Sequence, residues 1–297
     1  MTQHSTISLS LAIQRTVAYG DLFDFPMTLP EVHRYLEATP AGIDEVRKAA
    51  QRMAPERLQQ VGPFVTLPGR ARLTEVRERR ADVAAQLWPE AIRCGRSLGR
   101  LPFVRMVAVT GALAMDNVDE GADLDYLIVT EPGRVWLCRL LIVQLVRLHR
   151  LRGVVICPNW ILSEEAIRLE RRDLFSAREL AQMVPVVGFD VYRRMIDANG
   201  WIRELLPNAA GPPRSGHPVT AAGSWAARLG EVVLRWPPFD PLERWVQHRK
   251  TREIRRLDPD SPEVVLDHRQ CKGHVDGHGR RISEAYGERL RSLSLEP

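Results

Sequence analysis

The chain has 297 residues, a formal net charge of +5, 44% hydrophobic residues and 27% charged ones. That length suits two modest domains or one domain with attachments, and the composition is that of a globular protein rather than a disordered or fibrous one. The longest apolar stretch, 135–146, is interrupted by Arg139 and Gln144 and falls short of the roughly 20 residues that cross a bilayer, so no membrane span is expected. The N-terminus lacks a basic region followed by an apolar one, and Cys94, Cys138, Cys157 and Cys271 are widely spaced. Both features predict a cytoplasmic protein with free thiols. The modest positive charge permits an anionic partner without requiring one.

In chain order, residues 9–19 carry a partly helical apolar pattern, and the aromatic patch with Phe23 and Phe25 reads as a turn. Thr28 and Glu31 form a capping box that opens a second helix, with Leu29, Val32, Tyr35 and Leu36 on its apolar face. A third helix is expected over 43–53, then a hairpin over 58–67 turning at Gly62-Pro63. Three short helices followed by a hairpin resemble a winged helix over residues 1–75. The resemblance makes the third helix, with Arg47, Lys48, Gln51 and Arg52, a surface for nucleic acid or for a protein partner. The basic run Arg70, Arg72, Arg77, Arg79 and Arg80 reads either as a phosphate track or as a solvated helix face. A linking helix follows, helical over 73–99 and assigned as the 76–100 connector, with a break expected at Pro89.

The stretch VRMVAVTGALAMDNVDEGADLDYLIVT, 104–130, carries the chemistry. It reads as strand, tight turn, connection, strand. Alternation places Asp123 and Asp125 on one face with Leu124 on the other. Paired carboxylates repel unless a cation lies between them, and a Gly111-Ala112 turn lets backbone amides approach a phosphate. On the residues alone this is either a magnesium-phosphate site or a surface hairpin with two solvated acids.

Gly111-Ala112, ten residues, then Asp123-Leu124-Asp125 inside an apolar run resembles the signature of the nucleotidyltransferase superfamily, to which DNA polymerase beta belongs. The resemblance implies a helix just after Gly111, a triphosphate held at the glycine turn, and Mg²⁺ held by Asp123 and Asp125. It covers about thirty residues, and it departs from the family in two places. Ala112 stands where the family carries Ser. The next expected strand, 154–162, carries Asn159 where the resemblance implies a third carboxylate. Either Glu164 or Glu165, just beyond that strand, or another acid folds back to complete the site, or the site binds a nucleotide without efficient transfer. Pro158 predicts an edge position or an irregularity in the strand.

Between these strands residues 135–149 read as a deeply packed helix. Its Arg134 and Arg139 read either as triphosphate ligands or as surface arginines. Farther on, Ser176 and Glu179 suggest a capping box, with a helix through 184 continuing, kinked or broken, near Pro185. Helices over 190–198 and 201–206 are expected to bring Tyr192, Arg193, Arg194, Trp201 and Arg203 near a cleft. Residues 208–222 read as a mobile loop or linker. Helices over 224–235 and from Asp240-Pro241 follow. The Gly/His loop at 267–279 carries Asp267, His268, Cys271, Lys272, His274 and His278. Its spacing matches no familiar zinc pattern, and it stays open as a structural metal site, a phosphate loop with Lys272, or a packed tail.

The expected architecture is α+β: a winged-helix-like domain at 1–75, a linking helix, a nucleotidyltransferase-like mixed-sheet core at 101–175, and a helical region at 176–297. The expected function is Mg²⁺-dependent transfer of a nucleoside monophosphate from an NTP to an acceptor. The site residues are Asp123, Asp125 and Glu164, with Gly111, Ala112, Arg134, Arg139 and Lys272 around the nucleotide. The alternative is a degenerate transferase fold that senses a nucleotide and binds DNA or a protein through its N-terminal domain.

Overall fold

The computed structural model describes residues 7–53, 55–214, 216–237, 239–257, 265–272 and 278–296. Ser8 caps the first helix, α1 (Leu9–Asp21), by accepting a hydrogen bond from the Leu11 amide. Strand β1 (Met27–Thr28) runs directly into α2 (Leu29–Arg34), whose capping box between Thr28 and Glu31 forms as the sequence predicts. Helix α3 (Ile43–Met53) follows, then β2 (Gln59–Val61) and β3 (Phe64–Thr66), joined at Gly62 with φ of 56°. The three strands form a small antiparallel sheet in the order β1-β3-β2. Its core draws Ile13, Val17, Val32, Val46 and Val65 together.

Helix α4 (Leu73–Leu98) is continuous, and the break expected at Pro89 is absent. Pro89 removes one backbone donor, but Trp88, Ala91, Cys94 and Leu98 are buried against the central sheet, and that packing holds the turn. Strand β4 (Val104–Val109), the short helix α5 (Gly111–Ala114) and β5 (Leu124–Thr130) come next, with Val109 opposite Tyr126 in an antiparallel pair. Helix α6 (Val135–Arg150) is the crossover to β6 (Ile156–Ser163), which lies parallel to β5.

The sheet extends past residue 175. Helix α7 (Leu174–Gln182) is capped by Asp173, which accepts from the Ser176 amide, so Ser176 is inside the helix and not its cap. Residues expected to prolong that helix form a strand instead, β7 (Val184–Val187), paired with β4. Val184, Val186 and Val187 are β-branched and fully buried, and an edge strand tolerates Pro185. Then come α8 (Phe189–Ala198), α9 (Ile202–Leu205), α10 (Trp225–Leu234) and α11 (Phe239–Leu257). Glu243 of α11 accepts from the Trp136 and Leu137 amides and so caps α6. Strands β8 (Val265–Leu266) and β9 (Gln270–Lys272) complete a mixed sheet of order β7-β4-β5-β6-β9-β8. Helix α12 (His278–Ser292) returns to the N-terminal region, where Tyr286 and Leu290 join its core.

The stretch 208–222, expected to be a mobile loop or linker, is held at several points among its described residues. Asn208 donates to the His33 and Ala41 carbonyls, Arg214 pairs with Asp116 and lies over Trp88, and Thr220 exchanges backbone hydrogen bonds with Val186 and Gly188. Its polar groups find partners on β7 and α2 that local composition does not reveal.

The two faces of the sheet differ. Leu124, Tyr126 and Ile128 pack with residues of α4 and α6, whereas Leu127 and Val129 pack with residues of α7, α8 and Tyr35. That alternation puts Asp125 on the second face.

Candidate functional site

Strand β4 ends at Val109; Thr110 keeps an extended backbone, and the chain then turns at Gly111 with φ of 64°. A Cβ built on Gly111 would lie 2.3 Å from Asp125 Oδ2 and 3.1 Å from its Cγ. Only glycine fits, for the space and for the left-handed backbone together. The Thr110 amide donates to the Asp125 carbonyl at 3.0 Å, which locks the turn to the strand bearing the acid.

Asp125 is half-buried, and Asp123, just before the strand, is exposed. Burial pushes the Asp125 carboxyl up to about 6. A hydrogen bond from Asn159 opposes this rise, the like charge of Asp123 adds to it, and a hydrogen bond from Cys157 opposes it. The neighbouring strand is irregular here. Asp125 faces Cys157 while Leu127 faces Trp160, so β6 carries one extra residue, a bulge that contains Pro158 and Asn159. Pro158 thus sits in an irregularity, within a strand flanked by β5 and β9. Asn159 also accepts from the Cys157 thiol at 2.9 Å.

In front of this corner lies a cavity of about 530 Å³. Thr110, Gly111, Ala112 and Asp125 form its sheet wall, and Tyr19, Phe23 and Phe25 form the opposite, aromatic wall. Lys272 lines it from β9, with its ammonium 4.5 Å from the centre of the Trp160 ring, and His278 and Arg281 close it from α12.

Two neighbouring residues of α7 complete the lining, and neither was assigned a site role from the sequence. Glu179 opens onto the cavity, where burial pushes its carboxyl up to about 7; Lys272 opposes the rise and Asp125 adds to it. Arg178 is 1% exposed, with its guanidinium 4.4 Å from the Tyr19 ring centre and Nη2 donating to the Tyr35 carbonyl, while its Nε and Nη1 have no hydrogen-bond partner. In the sequence Glu179 has the spacing of a capping-box acid, but Asp173 is the cap. The i+3 spacing of Glu179 from Ser176 masked a side chain that turns into the cavity.

Other expected residues lie elsewhere. Arg134 is beyond the opposite end of β5 from Asp125 and pairs with Asp240. Arg139 lies by Cys271, where its positive charge opposes the rise that burial gives the thiol. Glu164 follows the far end of β6 and pairs with Arg194. Tyr192 and Trp201 are buried with Met195, away from the cavity. Of the loop at 267–279, Asp267 accepts from the Arg269 and Gln270 amides and Cys271 is buried, whereas His274 lies outside the described residues.

On the other face of the sheet, Glu90 and Cys94 of α4 meet His149 of α6, with their ligand atoms within 4.8 Å of one another. This group can coordinate a metal ion, and its spacing in the sequence gave no sign of it. All four cysteines are free thiols.

Fold and site define the class: a mixed α+β protein with a central mixed sheet, a carboxylate-bearing cavity on one face and a potential metal-binding cluster on the other. No helix among the described residues is long and apolar enough to cross a membrane. No protein-family model, curated protein or solved structure matches the chain.

Proposed function

We propose that the chain is a Mg²⁺-dependent nucleotidyltransferase that moves a nucleoside monophosphate from an NTP to an acceptor hydroxyl or phosphate. The observation that carries this reading is the contact of the Gly111 turn with the Asp125 carboxylate at the wall of a cavity large enough for a nucleotide.

Asp123 and Asp125 supply the oxygen donors that suit Mg²⁺, which when bound neutralises phosphate charge. The bare backbone of Gly111 admits the triphosphate to the sheet edge. Arg178, which is 3.7 Å from Glu37 and has two nitrogens without a hydrogen-bond partner, and Lys272 bring positive charge to the lining of the same space. The aromatic wall of Tyr19, Phe23 and Phe25 suits a nucleobase. In the transfer step an acceptor oxygen bonds to the α-phosphorus while the bond to the leaving pyrophosphate breaks. Glu179, poised near neutrality, takes the proton when the acceptor is a hydroxyl.

One consideration favours the nucleotide-sensing alternative: the resemblance implies a third carboxylate where β6 carries Asn159, an amide that cannot take a proton from the acceptor. Pyrophosphate release with each NTP and Mg²⁺ decides between them. Transfer requires release that is lost in both D123N and D125N; equal release in those variants ends the proposal. NTP binding without release selects the sensor.

For the N-terminal region we keep the winged-helix-like reading, supported by the small β1-β3-β2 sheet and by exposed Arg47, Lys48 and Arg52 on α3. Its partner is then a nucleic acid or a protein. A duplex-DNA mobility shift that weakens with salt and with R47A/R52A supports the first; no shift at low salt supports the second.

A further inference from the structure

We propose that Glu90, Cys94 and His149 bind a divalent ion of the zinc class, tying α4 to α6 on the side of the sheet away from the nucleotide cavity.

The geometry needs little adjustment. Cys94 Sγ lies 3.2 Å from Glu90 Oε1 and 3.5 Å from His149 Nδ1. Ligands around a tetrahedral zinc, with bonds of about 2.0–2.3 Å, stand about 3.3–3.8 Å apart. Glu90 and Cys94 are one helical turn apart on α4 and so share a face, and His149 comes from the last turn of α6. The two oxygens of Glu90 divide the work: Oε2 pairs with Arg93 outside, and Oε1 points inward to the thiol.

The donor set is selective. One sulfur, one imidazole nitrogen and one carboxylate oxygen suit zinc and its neighbours far better than magnesium, which prefers oxygen alone. Cys94 is fully buried and His149 is 8% exposed, whereas the Glu90 side chain keeps 26% of its exposure, which leaves a fourth position for water. Without an ion the thiol stays protonated, because burial and then Glu90 push it up to about 12. Binding forms the sulfur–metal bond and releases that proton to solvent, so affinity rises with pH.

The test uses the full chain stripped with EDTA and titrated with Co²⁺, then with Zn²⁺. One equivalent of Co²⁺ should give a sulfur-to-cobalt charge-transfer band, displaced by Zn²⁺, together with a higher melting temperature. C94S should abolish the band, and H149Q should weaken Zn²⁺ binding by more than about 100-fold, beyond the usual effect of losing an outer-shell partner. D123N/D125N should leave the band unchanged, which separates this site from the proposed nucleotide site. Absence of the band in the wild-type chain overturns the proposal, even if C94S fails to fold; so does a band that survives in C94S.

Discussion

Asp125 and Tyr126 are neighbours on one strand, and they face opposite surroundings. Asp125 looks into a cavity with Glu179 and Lys272, and burial pushes its carboxyl up to about 6. Tyr126 is fully buried against α4, where its hydroxyl donates to the Ala91 carbonyl at 2.6 Å. The first face gathers buried and half-buried ionisable groups at a cavity, an arrangement common at functional sites. The second face spends its residues on packing, apart from the cluster at Cys94. The sheet thus presents an ionisable corner on one face and packed side chains on the other at the spacing of a single residue.

Several substitutions sharpen or break that contrast. The largest expected effect is on turnover: D125N should lower pyrophosphate release about 1,000-fold, which corresponds to about 4 kcal/mol at roughly 1.4 kcal/mol per decade. The same variant should melt no lower than the wild type at pH 8, since it removes a desolvated charge. Next, G111A should cost more than about 2 kcal/mol in urea titration, from left-handed strain and the clash with Asp125 together.

Glu179 gives a pH test. Its carboxyl rises in the folded chain from 4.5 to about 7, so the folded state holds a proton that the unfolded state releases. The stability associated with that proton is complete below about 4.5 and is lost as pH rises through about 7. Melting temperature in EDTA should therefore fall across that window, and E179Q should flatten the fall. The smallest effect belongs to the supporting face: Y126F should cost about 1 kcal/mol, the net worth of one hydrogen bond, and leave turnover unchanged. Lost turnover in Y126F would break the division between faces.

Much of this was legible in the sequence where the cause was local. The capping box at Thr28, the helix at 43–53 and the turn at Gly62 depend on residues within a few positions of one another. The alternation from Leu124 to Thr130 likewise revealed both a strand and its polar corner. What escaped depended on distant partners. Strand β7 gains its identity from pairing with β4, which outweighs the helix that a Ser176–Glu179 cap suggested. Glu179 and Arg178 reach the cavity because α7 packs across the sheet, a placement no short-range pattern encodes. Glu243, inside the helix that starts near Asp240 as expected, also caps another helix more than a hundred residues earlier in the chain, through the Trp136 amide.

The central claim concerns a divalent ion shared by two acids and a nucleotide at the Gly111 turn. Crystals soaked with Mn²⁺ and a non-hydrolysable NTP test it by anomalous scattering. The account predicts a peak bridging Asp123 and Asp125, with metal–oxygen distances of about 2.0–2.2 Å and the phosphates against Gly111. Nucleotide bound with no peak at those two acids, or seated away from the turn, would contradict it.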